Sequence, residues 1–274
     1  MTNFANWFAY YRFRMNSTKS ATGQAFSKLD EKYRVGYHTL SGSVSSLVIP
    51  VDSFDLTDTA PTAHRKKWYD RLYGQKSPGS TPLRSALGNV GRYYGGKMTG
   101  ADPIEHSCQK NYTILVTDGY WNGAAGRDLN NVDITASLDS DVSNSRSSRE
   151  SGVFDGQNVG GTLADVAQYY YDIDLRTTGT KSKNNVPVNA RDDNSGQHMN
   201  TYTMGLGIDG LMTYRKDYIT AATGDFSKIT SGSTGCSWEA SMSTVCNWPK
   251  PVNDSPTAVD DLWHAAVNGR GQYF

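Results

Sequence analysis

The sequence predicts an α/β fold, a doubly wound sheet with helices on both faces, and three observations carry that reading. The first is the stretch from Asn111 to Gly123, NYTILVTDGYWNG, where Tyr112, Ile114 and Val116 alternate with Thr113, Leu115 and Thr117 before Asp118-Gly119. A β-branched, nearly continuous apolar run of this length fits an interior parallel strand covered on both faces. The second is another strand-type run, Asn200 to Gly207, closed by glycines. The third is the order of periodicities along the chain: helix, strand, strand, helix, helix, strand, helix, strand, helix.

A chain of 274 residues is long enough for one large core, and a single domain over 1–274 with polar insertions near 124–160 and 225–255 is expected. Lys and Arg total 27 and Asp and Glu total 27, so the formal net charge is zero. The longest basic block is Arg65-Lys66-Lys67, which excludes nucleic acid as the main partner. The mean hydropathy is −0.59, and no run approaches the roughly 20 apolar residues of a membrane span.

Taken in order, Phe4, Trp7, Phe8, Tyr11 and Met15 form one apolar stripe, which predicts a helix from an Asn3 N-cap to about Leu29. Arg12 and Arg14 follow its apolar start, the wrong flank for a signal peptide. Tyr33–Leu40 and the run Leu47–Val51 read as a hairpin. Asp52, Asp55 and Asp58 then make a solvated loop before a helix at about Ala63–Tyr73. In GSTPLRSAL, Thr81 reads as an N-cap and Pro82 as the first helical residue, with Leu83, Leu87, Val90 and Tyr94 facing inward. The segment 124–160 is Gly, Ser, Asn and Asp with little periodicity, which predicts a surface insertion. Thr162 and Asp165 form a capping-box pattern at the head of a helix reaching about Arg176, in which Tyr169, Tyr170 and Tyr171 cannot all be buried. A last helix, Asp260–Val267, turns Leu262, Trp263, Ala266 and Val267 inward and places two aspartates at its positive end.

Of three cysteines, Cys236 and Cys246 lie ten positions apart in a Gly/Ser-rich loop beside Trp238 and Trp248. That spacing suits a local disulfide, and hence a location outside the cytosol, better than a metal site, since no CxxC or paired His is near. Cys108 is left over.

The chemistry-bearing candidates are Thr81 and Asp118. One opens a helix and the other ends a strand, so a hydroxyl and a carboxylate converge where open α/β sheets place their ligands. Such a pair suits a hard divalent cation, Mg or Ca, whose shell water and further oxygens complete. Asp139 and Asp141 alternate like a calcium loop but lack its Gly and distal Glu, and the five histidines, at 38, 64, 106, 198 and 264, show no ligand spacing. Asp193–Gln197 follows no strand and reads as a loop, and a serine hydrolase would need a GxSxG that is absent.

GSTPLRSAL followed by ILVTDGYWNG resembles the second and third metal-site loops of a von Willebrand factor A domain. Together with NFANWFAYYRFRM, YRVGYHTL, WYDRLYG, GTLADVAQYYYDIDLR, QHMNTYTMGLGIDG and DDLWHAAVNGRGQYF, these blocks resemble the PilY/PilC family of type IV pilus-tip adhesin and biogenesis proteins, collinearly from Asn3 to Phe274. The resemblance implies an extracellular, pilus-associated or outer-membrane-surface module with a von Willebrand factor A-like sheet, in which Thr81 and Asp118 match the family's metal-site Thr and Asp. It also implies that the DxSxS loop and first strand lie upstream of the NFANW helix, as does a signal peptide, and that a β-propeller lies downstream. The chain is then expected to be a fragment whose sheet lacks its first strand, with an exposed apolar edge and a partial site binding Mg or Ca weakly or not at all. Expected partners are pilus components and a surface or host ligand. A metal-dependent phosphoester hydrolase using Asp118 is the rival reading; in it the position of an aspartate nucleophile is held by Val116. A purely structural pilus-assembly part is the third.

Overall fold

The computed structural model describes residues 2–41, 48–76, 79–140 and 151–274. Its elements are α1 (Thr2–Tyr11), α2 (Arg14–Phe26), β1 (Arg34–Tyr37), β2 (Ile49–Ser53), α3 (His64–Gly74), α4 (Leu83–Tyr94), β3 (Asn111–Thr117), α5 (Leu163–Asp172), β4 (Met199–Gly205), α6 (Asp225–Ser231), α7 (Thr257–Asn268) and β5 (Arg270–Tyr273).

The main sheet is parallel, in the order β3-β4-β5. Asn111 pairs with Met199 and Thr117 with Gly205, while Thr201 pairs with Arg270 and Thr203 with Tyr273. Helices α4, α5 and α7 pack on one another and on these strands, and Thr203 Oγ1 donates to Leu262 O at 2.8 Å across that contact. Burial in β3 follows the pleat: Asn111, Leu115 and Thr117 are buried, whereas Tyr112 is 49% and Ile114 57% exposed. On the same outer face Tyr202 stands beside Ile114 and Met204 beside Val116.

The fold is therefore mixed α/β, but the expected helices on both faces are not seen among the described residues, and β3 is an edge strand rather than an interior one. Apolar residues on both sides of the pleat suggest two-sided burial when read in sequence, yet only the Leu115 side meets helices. Tyr112 and Ile114 stand exposed on the outer face of this strand.

The sequence gives no strand signal for β5, since RGQY has neither alternation nor a β-branched residue. Close approach explains its composition: a Cβ at Gly271 would lie 2.0 Å from Thr201 O. The short helix α6 is likewise absent from the periodicity reading.

The hairpin forms as expected, with Arg34 opposite Ser53 and Val35 opposite Asp52, but as a separate two-stranded sheet; Leu47 of the second run lies outside the described residues. Beneath it, Phe54, Trp68 and Leu72 are buried, and Phe26 stacks on Trp68 at 4.7 Å. This small core joins the larger one through Val51 N–H donating to Tyr93 Oη at 3.0 Å and Arg34 Nη1 donating to Pro103 O at 2.8 Å.

The single N-terminal helix divides in two at Arg12-Phe13, and Asn3 lies within α1 rather than capping it. Phe13 is extended (φ −93°, ψ 120°), with the Arg12 guanidinium 4.7 Å over its ring. The predicted apolar stripe is not buried: Phe4 is 68% and Trp7 55% exposed. Its rings stack on one another instead, Phe4 on Phe8 at 6.1 Å and Trp7 on Tyr11 at 6.1 Å.

The described parts of the insertions are built into the core rather than laid over it. Val153 is fully buried and Ile134 is 6% exposed, and His264 Nε2 meets Val153 O at 2.7 Å. Near the other insertion, Cys236 and Cys246 form the expected disulfide, with Cα atoms 5.7 Å apart and both residues fully buried, while Cys108 is free and exposed. Reduction, or replacement of Cys236 and Cys246 by Ala, is expected to lower stability by about 3 kcal/mol through the freed loop. Urea midpoints with and without reductant measure this, and equal midpoints would contradict it.

Candidate functional site

The loops before α4 and after β3 meet at the carboxyl end of the sheet. Thr81 and Asn122 form a reciprocal pair: Thr81 N–H donates to Asn122 Oδ1 at 3.1 Å, and Asn122 N–H donates to Thr81 O at 3.0 Å. Thr81 does not cap α4; the capping position is Pro82, without a side-chain bond. The Thr81 hydroxyl faces the Asp118-Gly119 turn, where Oγ1 lies 3.4 Å from the place a Cβ on Gly119 would take. Thr117 holds that turn, its Oγ1 accepting from Gly119 N–H at 3.1 Å. Arg84 of α4 fixes the far side, donating through Nη1 to Gly161 O at 2.8 Å and through Nη2 to Gly123 O at 2.6 Å.

The structure thus sets Thr81 against the Asp118-Gly119 turn and adds three residues that the sequence reading missed. Asn122 Nδ2 donates to Asp254 Oδ1 at 2.9 Å, and Arg14 Nη1 donates to the backbone carbonyl of Asp118 at 3.0 Å. Asn122 could have been found from its place in the same turn; Arg14 and Asp254 are 104 and 132 residues from their partners, a separation with no local signal. Asp118 and Asp254 are exposed and Thr81 is half-buried, so the cluster opens to solvent. A hard cation takes six or more oxygens. The described residues contain no group of three or more His, Cys, Asp or Glu positioned to hold an ion, and Arg14 places a positive charge beside Asp118.

The other candidates are structural. Asp139 is 1% exposed, accepts from Asn268 Nδ2 at 2.7 Å and lies 3.6 Å from His264, which does not make a calcium loop; Asp141 lies outside the described residues. His264 stacks on Trp248 at 4.3 Å, and burial pulls its pKa down to about 4. His198 sits 3.1 Å from Asp192, which also pairs with Lys110 at 2.9 Å. The loop Asp193–Gln197 precedes β4, at the end of the sheet opposite Asp118.

Three aspartates act as buried caps. Asp165 completes the capping box with Thr162 at the head of α5. Asp261 of α7 accepts from Leu163 N–H at 2.8 Å and Ala164 N–H at 3.0 Å in the same helix start. Asp260 accepts from Leu211 N–H at 2.9 Å and Met212 N–H at 3.0 Å. The two α7 aspartates therefore serve neighbouring segments rather than their own helix end. Burial raises the carboxyls of Asp165 and Asp260 to about 6 and of Asp261 to about 7.

Fold and loops together define an α/β module whose hydroxyl- and carboxylate-bearing loops gather at the carboxyl edge of a parallel sheet. Its sequence is 32% identical over 307 aligned residues to the type IV pilus biogenesis factor PilY1 of Pseudomonas aeruginosa strain PAO1, an alignment covering 99% of this chain. It is 31% identical to the protein of that name from strain PAK and 30% identical to that from strain UCBPP-PA14. The chain belongs to the PilY1-type type IV pilus biogenesis factors, and it spans 24% of the length of these relatives. No family profile matches the chain, and no solved structure matches it. No helix among the described residues is long and apolar enough to cross a membrane.

Proposed function

We propose that this chain is a non-enzymatic binding module of a type IV pilus-associated adhesin, working outside the cytosol in surface or host-cell attachment and in pilus biogenesis. The observation that carries the reading is the 32% identity to a pilus biogenesis factor over 99% of the chain. The buried disulfide supports an oxidising location. In this reading the sheet is von Willebrand factor A-like, and the solvent-facing loops with Thr81, Asp118, Asn122 and Asp254 engage the ligand, with Mg or Ca held there weakly if at all.

Asp118→Ala and Thr81→Ala are expected to reduce surface attachment several-fold in a piliated bacterium carrying this region in its own biogenesis factor, with protein level and pilus number unchanged. The exposed Asp118 side chain has no packing role to lose, and its tie to Arg14 runs through the backbone. Unchanged attachment would instead favour a purely structural part of the assembly. Turnover of a generic phosphoester, abolished by Asp118→Ala, would replace the binding reading with a hydrolase.

A further inference from the structure

Beyond the carboxyl ends of β4 and β5 lies a second cleft of about 420 Å³. The 208–214 segment forms one wall, and Trp263 of α7 with Tyr273 of β5 forms the other. Tyr214 meets Tyr273 edge-on at 5.1 Å and Trp263 at 5.6 Å, and Tyr214 is 38% exposed. Two carboxylates line the same space, Asp260 and the exposed Asp209, and none of the lining residues is basic. Arg215 pairs with Asp217 at 3.0 Å and Lys228 with Asp225 at 3.3 Å, and Arg14, whose Nε lies 3.6 Å from the place a Cβ on Gly207 would take, is tied to the Asp118 carbonyl.

No basic side chain therefore lines the cleft to pair with its carboxylates. The Asp260 carboxyl is lifted by burial first, with Asp225 adding to it, against the pull of two N–H groups. A group that supplied positive charge there would relieve that cost. Two carboxylates do not make the oxygen shell a hard metal ion needs. Aromatic walls with carboxylates at the rim suit a planar, weakly hydrated cation, which gains both the charge pair and the ring face. The position fits as well, since parallel sheets bind ligands outside their carboxyl ends.

We propose that this cleft binds an organic cation of the guanidinium type, with Asp209 at the rim pairing its charge, the buried Asp260 beneath the floor adding to the negative field, and Tyr214 covering its face. The site shares no lining residue with the loops around Asp118, so its success or failure does not decide the adhesion reading.

Titration of the whole chain with N-acetylarginine amide, followed by tryptophan emission and by chemical-shift change, tests it. Saturable binding is expected, weakened at least tenfold by Asp209→Asn and by Tyr214→Leu and weakened by added salt. Asp209 is exposed, so its substitution leaves the fold intact, which an unchanged melting temperature checks. N-acetylcitrulline amide, of the same shape without the charge, is expected not to bind. Tighter binding of a short Arg-containing peptide than of the amide would place the cation on a partner polypeptide; equal binding would point to a free small molecule. Absence of binding, equal binding of the citrulline compound, or an Asp209→Asn variant that binds like the parent would overturn the proposal.

Discussion

Trp263→Ala is expected to cost about 3–5 kcal/mol, the range for truncating a large buried aromatic, and to leave the chain largely unfolded or close to it at ambient temperature. Trp263 is 2% exposed. Its ring lies 4.9 Å from Tyr218, 6.0 Å from Phe226, 5.8 Å from Trp248 and 5.7 Å from Tyr273. Those partners come from the 214–218 turn, α6, the end of the disulfide loop and β5, so one side chain ties together four segments that share little secondary structure. The hole would not close by a local shift, because each neighbouring ring is held by another element. Urea unfolding followed by far-UV circular dichroism measures the loss. Trp7→Ala, at a position 55% exposed, is the control and should change stability by no more than about 0.5 kcal/mol. A comparable loss at both positions would mean that the α1 stripe is packed after all.

The contrast between Trp7 and Trp263 shows what periodicity can and cannot convey. Both stand on an amphipathic helix stripe, and the pattern is the same for each. Local rules read well: the Thr162–Asp165 box, the strands around Ile114 and Tyr202, and the Cys236–Cys246 bridge all form where the residues indicate. These depend on neighbours within about ten residues. Coverage of a face depends on what the rest of the chain delivers to it, so Tyr112 and Ile114 read as buried and stand exposed. β5 was missed for a related reason, since its sequence reflects the approach of Gly271 to Thr201 rather than any preference of its own.

The candidate site follows the same division. Asp118 announces itself by ending a strand, and Thr81 by preceding Pro82. Arg14 and Asp254 reach the site through side-chain bonds that no spacing encodes, whereas Asn122 belongs to the same turn as Asp118. The polar 124–160 segment reads as a surface insertion, yet Val153 and Asp155 lie in the interior: Val153 O meets His264 of α7, while the Asp155 carboxylate accepts from Gln157, Asn158 and Val159 N–H of its own turn.

The buried aspartates give the second large effect. Asp261→Ala is expected to remove the acceptor of Leu163 and Ala164 N–H and to cost about 2–6 kcal/mol, at roughly 1–3 kcal/mol for each orphaned donor. The cost should also depend on pH, and the sign follows from the raised pKa. The folded carboxyl titrates at about 7, well above the roughly 3.9 of an unfolded aspartate. As pH falls from 8 toward 6.5 the folded state takes up protons that the unfolded carboxylate does not, so parental stability rises, and it declines again as pH climbs through 7. Asp165 and Asp260, both at about 6, begin to add in the same direction. Asp139, pushed upward by burial and by Asp165 and Asp155, acts likewise. His264, held down at about 4, and His38, also lowered by burial, oppose them increasingly as pH approaches the 6.5 of an unfolded imidazole, so the aspartates' effect is clearest toward the upper end of the interval from pH 8 to 6.5. Arg84 also feels the charge of Asp261, but its guanidinium stays protonated throughout that window. The melting temperature of the parent chain should therefore rise by a few degrees between pH 8 and 6.5. Asp261→Asn should flatten most of that rise, and the penalty of Asp261→Ala should be larger at pH 6.5 than at pH 8. A parent whose stability falls over this interval would show that Asp261 is held ionised, with the Leu163 and Ala164 donors and Arg84 outweighing the cost of burial.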